Sequence, residues 1–467
     1  MRKLLILRCL VFLFLFPGVS AHAQTCSCEL EFRHIKDFME ANYAGFKDKV
    51  ARMTDAGYNR LVRDYLGYSK GPHSTEKCLL IIAGFLDHFK DEHVGVGANF
   101  DATKTDSFFV SQRELVNIPE RRLLALRNSR TPEGIYYFKH DSSYKIAVIQ
   151  DKSPLHDYIG VIVSSKLPGW KPGMLKFEGK FINDSVLKGV LYLRNHLPKV
   201  EWFWLGRDQI GGDWQREGTV AEKHASYNDE PVTSHKVNQK TLYIKISSFG
   251  ASNAKRIDSV MAANKDNLST MPYLVLDLRG NGGGGDFAFS PLLPYLYTNP
   301  ISGAGADVWS TDSTIAGWKR YLEDPDLPAS SRDEINGIIR KMEAAKGTFV
   351  NYDPASVDSS LTPLPNPVKV IILIDRGCAS ATEEFLLAAK QSAKVRLLGQ
   401  NTSGTLDYSN VLQTKFSCMP YILGYASTRS HRLDSHEGID NVGIKPDHYL
   451  DVTADWISAA VAALMNN

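Results

Sequence analysis

A serine at the junction of a buried strand and a helix is the first residue that could do chemistry. The apolar run Val368–Ile374 predicts a strand, and Ser380 follows it after a short turn, at the start of a predicted helix. The first N–H groups of a helix have no carbonyl partners within the helix and carry partial positive charge. A serine there could attack a carbonyl carbon while such N–H groups bind the oxyanion, or it could serve only as a helix cap.

A glycine-rich loop after a second buried strand is the next candidate. Gly280–Gly285 matches the spacing of the dinucleotide-binding fingerprint, but Pro291 and Pro294 interrupt the helix that this fingerprint requires. An acidic residue at the end of a following strand is also missing. The glycines do allow a backbone N–H to approach a substrate closely, which favours an oxyanion donor or a peptide-binding ledge.

Together, the two segments resemble the tail-specific, or carboxy-terminal processing, serine peptidases, including the catalytic core of tricorn protease. Three further segments match motifs of this family in the family's order: Leu242–Phe249, Gly399–Gly404 and Gly443–Asp447. The resemblance covers residues 240–299 and 366–451. It implies an α/β fold with a ClpP/crotonase-like layered core, and an endopeptidase that acts on proteins or peptides without a metal or other cofactor.

The resemblance leaves two catalytic arrangements to consider. In one, a lysine about twenty-five residues after the serine acts as the base, directly after the Gly-x-x-Thr-x-Gly turn. Thr405 occupies that place here and has no basic nitrogen. The sequence therefore favours the arrangement of tricorn protease, in which serine, histidine and an acid act together.

The histidine and the acid of that arrangement have candidates at matching positions. His93 follows a predicted helix far upstream of the serine, and His88 is the alternative one helical turn earlier. Asp440 lies just before the closing Gly-x-x-Pro-Asp motif, and Glu437 is the second choice for the acid. Each of these residues could instead have a purely structural role.

The resemblance implies acyl-transfer chemistry with defined roles. His93 would take the proton of Ser380 as that serine attacks a peptide carbonyl, and Asp440 would hold the imidazole tautomer. The backbone N–H groups of Gly283 and Ala381 would bind the oxyanion. Glu383, three residues after the serine, is expected to stabilise the start of the helix electrostatically.

The N-terminus predicts an export signal. Three basic residues precede the apolar run Cys9–Phe16, and Ala21–Ala23 supplies the small residues of a cleavage site. Cleavage after residue 23 would leave a net charge of about −1, so no basic excess indicates nucleic acid binding. We expect a bacterial periplasmic or extracellular protein with no membrane span after signal removal.

Five cysteines would remain after cleavage, and an exported protein meets oxidising conditions. The favoured disulfide joins Cys26 or Cys28 to Cys78, because an up-down-up arrangement of three helices places these residues at one end. Cys378 and Cys418 could be buried thiols. A Cys-x-Cys pair without a second ligand pair is weak evidence for a metal site.

Patterning divides the chain into regions. These are a signal peptide (1–23), an N-terminal helical domain (24–99), a β-rich accessory domain that could be PDZ-like (100–236), a protease core (237–455) with a helical insertion (300–365), and a C-terminal helix (456–467). The missing lysine keeps a second hypothesis open: a catalytically inactive protein that binds a peptide or a hydrophobic ligand. The sequence does not indicate an oligomeric state.

Overall fold

The structure is a computed structural model that describes residues 26–98, 111, 113–182, 186–219, 230–323 and 329–465. The predicted export signal lies outside the described residues. Across the described ranges, no helix is both long enough and apolar enough to cross a bilayer.

Four helices and a short strand form the N-terminal region. They are α1 (Cys28–Asn42), α2 (Phe46–Met53), α3 (Asp55–Ser69), α4 (Thr75–Asp87) and β1 (Gly95–Ala98). Ser74 caps α4, since its side chain accepts a hydrogen bond from the N–H of Lys77. The prediction of three helices missed α2. This helix has only eight residues, and it carries two buried side chains, Lys49 and Val50.

A large antiparallel sheet follows. Its strands are β2 (Gly134–Phe138), β3 (Tyr144–Gln150), β4 (Tyr158–Ser165), β5 (Leu175–Phe181), β6 (Val186–Tyr192), β7 (Pro198–Trp204), β8 (Gln209–Ile210) and β9 (Trp214–Arg216). One short helix, α5 (Glu120–Arg127), precedes them, and the eight strands have the spatial order β7-β6-β5-β4-β3-β2-β9-β8. Six successive strands, β2 to β7, pair with their neighbours in the chain, as a meander does.

A mostly parallel sheet carries the family motifs. Its strands, in spatial order, are β10 (Val232–Lys236), β11 (Thr241–Ile246), β12 (Tyr273–Asp277), β17 (Lys369–Ile374), β18 (Val395–Gly399) and β21 (His448–Tyr449). Only β10 runs antiparallel to its neighbour. Both faces are covered, which explains why β12 and β17 read as continuous apolar runs.

The two faces of this sheet pack against different helices. One face packs against α6 (Ala251–Ala263), α7 (Lys265–Thr270), α8 (Asp286–Phe289), α9 (Leu293–Leu296) and α12 (Ala381–Ala389). The other face packs against α13 (Trp456–Met465). Alternate residues of one strand serve the two faces: Ile372 packs with the first group and Ile371 with the second.

A third sheet joins the N-terminal region to the core. It contains β1, β14 (Ala306–Trp309), β15 (Phe349–Asp353), β19 (Tyr408–Lys415) and β20 (Tyr421–Ser430). The segment 300–365, predicted to be a helical insertion, contains α10 (Asp312–Tyr321) and α11 (Ala329–Ala344). It also supplies β14 and β15 to this sheet, and β13 (Ile301–Gly303) and β16 (Ser356–Asp358) to a small separate one.

Two disulfides tie α1 to its surroundings. Cys28 bonds Cys78 on α4, which is one of the two predicted pairings. Cys26 bonds Cys418 in the turn between β19 and β20, so the prediction of a buried thiol at Cys418 is wrong. The hairpin brings residues 392 positions apart together, a proximity that local patterning does not reveal. Cys378 is a buried free thiol, as expected.

Candidate active site

Ser380 lies at a sharp strand-to-helix turn in the parallel sheet. Strand β17 ends at Ile374, and α12 begins at Ala381, so the serine is the residue directly before the helix. Its backbone has φ 55° and ψ −125°, a conformation that residues with a Cβ rarely adopt. Strain of this kind is common where a fold must present a nucleophile.

A buried carboxylate fixes this turn. Glu383 accepts hydrogen bonds from the N–H groups of Ser380 (3.3 Å), Gly404 (2.8 Å) and Thr405 (2.7 Å), and from the hydroxyl of Thr402 (2.5 Å). Burial raises the pKa of Glu383, and these four donors oppose the rise. The carboxylate therefore joins the Gly-x-x-Thr-x-Gly turn to the serine, in addition to its predicted place in the first turn of the helix.

The predicted oxyanion donors lie beside the serine. A Cβ on Gly283 would come within 2.9 Å of the Ser380 Cβ, and the φ of this residue is +95°, so the position requires glycine. The N–H of Gly283 donates to Asn281 Oδ1 (3.0 Å) and would have to share its hydrogen with an oxyanion. The N–H of Ala381 belongs to the first turn of α12, where no helix carbonyl can accept it.

His93 meets Ser380 across 287 residues of sequence. It lies in the loop between α4 and β1, and its Nε2 is 3.2 Å from Ser380 Oγ. Asp91 Oδ1 accepts the backbone N–H of His93 (2.9 Å), and Asp91 Oδ2 accepts the hydroxyl of Tyr43 (2.6 Å). The alternative, His88, has its Nε2 3.3 Å from the hydroxyl of Tyr65 instead.

The second nitrogen of the imidazole defines its tautomer. Nδ1 of His93 lies 2.5 Å from the backbone carbonyl oxygen of Tyr408, at the start of β19. Because a carbonyl oxygen can only accept, Nδ1 must carry the proton. Neutral His93 then turns the lone pair of Nε2 toward Ser380 Oγ, which is the orientation that a general base needs.

The predicted acid does not contact the histidine. Asp440 forms an ion pair with Lys49 of α2, and its side chain is 4% exposed. Burial and the carboxylate of Asp91 raise the pKa of Asp440, and the Lys49 ammonium opposes the rise. The second choice, Glu437, accepts a hydrogen bond from the hydroxyl of Ser435 (3.2 Å). The prediction that either acid holds the imidazole is therefore corrected: a backbone carbonyl has that place.

The position of the family's lysine is part of a hydrogen-bonded cluster. Thr405 donates its hydroxyl to Glu92 Oε2 (3.2 Å), and Ser403 donates to the same oxygen (2.7 Å). The carbonyl of Thr405 accepts the N–H of Ser380 (3.1 Å). Thr405 therefore links Glu92, directly before His93, to the backbone of Ser380, and it supplies no base.

A thiol near the serine does not compete as nucleophile. Cys378 is buried, and its Sγ donates to the carbonyl of Leu278 (3.1 Å). Burial, with the nearby Asp375 carboxylate, raises the pKa of this thiol. Because the thiolate is the reactive form, the thiol stays inert.

Sequence reasoning missed three parts of this site. The role of Glu383 had a signal, since a serine followed three residues later by glutamate is a capping-box pattern. Lys49 had a weaker signal, a lysine on the apolar face of a short helix. The carbonyl of Tyr408 had none, because a backbone acceptor is independent of residue type.

The comparisons with known proteins concern the family and the fold. Residues 240–450 match the model of peptidase family S41. No curated protein matches the sequence. Three solved structures are similar along most of the chain. A mutant of CPAF has 11% sequence identity and a TM-score of 0.50, and mature CPAF has 12% identity and a TM-score of 0.49; each match covers 94% of this chain and 95% of the other. The photosystem II D1 C-terminal processing protease has 15% identity and a TM-score of 0.39, with 95% of this chain and 98% of the other covered.

At these identities the structural similarity concerns the fold alone, and only the first of the three reaches a TM-score of 0.50. The assignment to a family therefore depends on the sequence match, which spans five of the six strands of the parallel sheet, Ser380 and the glycine loop. Residues 240–450 belong to peptidase family S41, the tail-specific peptidases, and the chain is a serine peptidase.

Proposed function

We propose that this protein is an exported endopeptidase in which Ser380 is the nucleophile and His93 the general base. The observation that carries the proposal is the line of contacts from Ser380 Oγ to His93 Nε2 and from His93 Nδ1 to the Tyr408 carbonyl. The last contact leaves Nε2 as the basic nitrogen. The site therefore works as a serine–histidine dyad with a carbonyl in place of the acid.

The chemistry follows from these positions. His93 Nε2 takes the hydroxyl proton as Ser380 Oγ attacks the peptide carbonyl, and the N–H groups of Ala381 and Gly283 stabilise the oxyanion. The imidazolium then gives its proton to the leaving amine. Water, activated by the same nitrogen, hydrolyses the acyl-enzyme and releases Ser380.

Export and internal cleavage are supported by separate features. The basic and apolar pattern of residues 1–23 and the two disulfides suit an oxidising compartment. Beside Ser380, the glycine loop is exposed at Gly282 and Gly284, so an internal segment of a polypeptide can lie along it. The parallel sheet with helices on both faces also suits a ClpP/crotonase-like core.

Labelling with a fluorophosphonate probe tests the nucleophile. We expect the wild-type protein to be labelled and Ser380→Ala not to be, whereas Ser259→Ala, on the surface of α6, should be labelled at the wild-type rate. A folded wild-type protein that stays unlabelled would favour the inactive binding protein. Mass spectrometry of fragments from an unfolded protein substrate tests the mode of cleavage, since only an endopeptidase yields internal cuts.

A further inference from the structure

Lys49 is a buried lysine directly behind the base. Its side chain is only 2% exposed, and it lies on α2, far in sequence from every family motif. A buried ammonium costs several kcal/mol in lost hydration unless its hydrogen bonds and its charge are satisfied. Such a group persists in a fold only where strong partners surround it, so its partners indicate what it holds in place.

Three separate segments supply these partners. The Lys49 ammonium forms a short ion pair with Asp440, donates to the carbonyl oxygen of Lys90 (2.9 Å), and lies 4.9 Å from the centroid of the Tyr408 ring. Lys90 begins the loop that ends in His93, and Tyr408 supplies the carbonyl that accepts the histidine's Nδ1–H. One side chain therefore contacts both the start of the loop that carries His93 and the residue whose carbonyl accepts its Nδ1–H.

The backbone at Lys90 needs this support. Its φ is +51°, in the left-handed region that is unfavourable for a lysine. The carbonyl that follows this strained torsion accepts two donors, Lys49 Nζ and Asn441 Nδ2 (2.7 Å). Two donors on one carbonyl fix the start of the loop, so the place of His93 depends on them.

We propose that Lys49 is a positioning residue for the reaction: it holds the Lys90 carbonyl and the Tyr408 ring so that His93 Nδ1 stays on the Tyr408 carbonyl. The proposal rests on the proposed function, in which His93 is the base. Asp440 is then the counter-ion that keeps the ammonium in place. Lys49 does not touch the reacting atoms, so its effect passes through the histidine.

The test replaces Lys49 and measures two quantities. For Lys49→Met we expect the maximal rate of fluorophosphonate labelling to fall about 10- to 100-fold, as for other supporting residues of active sites. The probe concentration at half-saturation should stay within about twofold, because Lys49 lies behind the histidine. Lys49→Arg, which retains the charge and the donors, should recover part of the rate.

A spectroscopic measurement separates positioning from general damage. Nitrogen NMR with labelled histidine, assigned by comparison with His93→Gln, should report a protonated Nδ1 in the wild type and a mixture of tautomers in Lys49→Met. This readout does not need activity. If the wild type is not labelled by the probe, the proposed function fails, while the tautomer still tests the role of Lys49.

A double variant distinguishes positioning from charge neutralisation. If Lys49 served only to neutralise Asp440, combining Lys49→Met with Asp440→Asn would restore the wild-type rate and tautomer, and the proposal would be wrong. We expect no recovery, because the Lys90 carbonyl still lacks its donor. Lys77→Met is the matched control, since Lys77 also pairs with a buried carboxylate, Glu178, and should keep the wild-type rate.

A milder variant covers the case in which Lys49→Met does not fold. Asn441→Gly removes the other donor to the Lys90 carbonyl and suits the left-handed φ of 61° at that position. We expect the maximal rate of fluorophosphonate labelling to fall about 3- to 10-fold. We also expect His93 to show a mixture of tautomers, as in Lys49→Met. Wild-type values for both quantities in Asn441→Gly would overturn the proposal.

Discussion

The two halves of the proposed dyad, Ser380 and His93, are built in different ways. Ser380 is fixed by elements close to it in sequence: β17 ends six residues before it, α12 begins after it, and Glu383 binds its backbone N–H. The loop that carries His93 is held by the side chains of Tyr43 and Lys49, and its imidazole by the carbonyl of Tyr408, all from distant segments. The position of the proposed nucleophile thus depends on the core alone, whereas that of the proposed base requires the N-terminal helices to be docked on the core.

The largest expected effect is the loss of the base. His93→Gln removes the basic nitrogen while keeping a polar side chain of similar size, and we expect the rate of fluorophosphonate labelling to fall about 1,000-fold. His88→Gln is the matched control, because His88 contacts Tyr65 and should leave the rate unchanged. A large loss in His88→Gln and none in His93→Gln would reverse our choice of base.

The next effect concerns the nucleophile's half. Glu383→Gln replaces a carboxylate that accepts four hydrogen bonds by an amide, whose NH₂ group would face donors instead of acceptors. We expect about a 100-fold slower labelling rate and about 1–3 kcal/mol less free energy of unfolding in urea. Glu384→Gln is the control, since the Glu384 side chain is 38% exposed and forms an ion pair with Arg432.

These two halves differ in how far the sequence predicts them. The strand, turn and helix around Ser380 are adjacent in the chain, so apolar patterning and glycine spacing predicted them. The pairing of Cys28 with Cys78 was also one of two predicted possibilities. The contact between His93 and Tyr408 joins residues 315 positions apart through a backbone atom, and patterning carries no information about it.

The missed role of Asp440 has the same cause. The position of Asp440 before the Gly-x-x-Pro-Asp motif matched the family's acid, but in the folded protein Asp440 pairs with Lys49. That lysine lies on α2, the helix that the sequence analysis did not predict. A motif fixes the place of a residue along the chain, and only the packed fold decides which charge it faces.

A smaller effect is expected at this acid. In serine peptidases whose aspartate orients the histidine, its replacement by asparagine lowers kcat about 10,000-fold. Because Asp440 contacts Lys49 and the Tyr408 carbonyl holds His93, we expect Asp440→Asn to slow labelling only about 10-fold. A loss near 10,000-fold would mean that Asp440 turns to the histidine during the reaction, and the contrast between the halves would weaken.

The smallest effect on labelling is expected where the N-terminal helices meet the eight-stranded sheet. Glu76, on α4, is 3.3 Å from Arg113, and both side chains are almost fully buried. Burial raises the pKa of Glu76 to about 7, since it outweighs the attraction of Arg113. Glu76→Gln removes this titration at a site without contact to Ser380 or His93, so the labelling rate should stay at the wild-type value.

Stability should respond instead, and its sign follows from linkage. Between about pH 4.5 and pH 7 the folded protein retains a proton on Glu76 that the unfolded chain releases, so the free energy of unfolding falls as the pH rises through this range. The fall from pH 4.5 to pH 7, measured by urea unfolding, should be about 2–3 kcal/mol larger for the wild type than for Glu76→Gln. Equal falls in the two proteins would mean that Glu76 is ionised in the folded state throughout, held by Arg113. An unchanged labelling rate together with the altered pH dependence would show that the helices can lose a buried charge at this interface without moving His93. The loop of His93 is held elsewhere, by Tyr43 and Lys49, and its imidazole by the Tyr408 carbonyl.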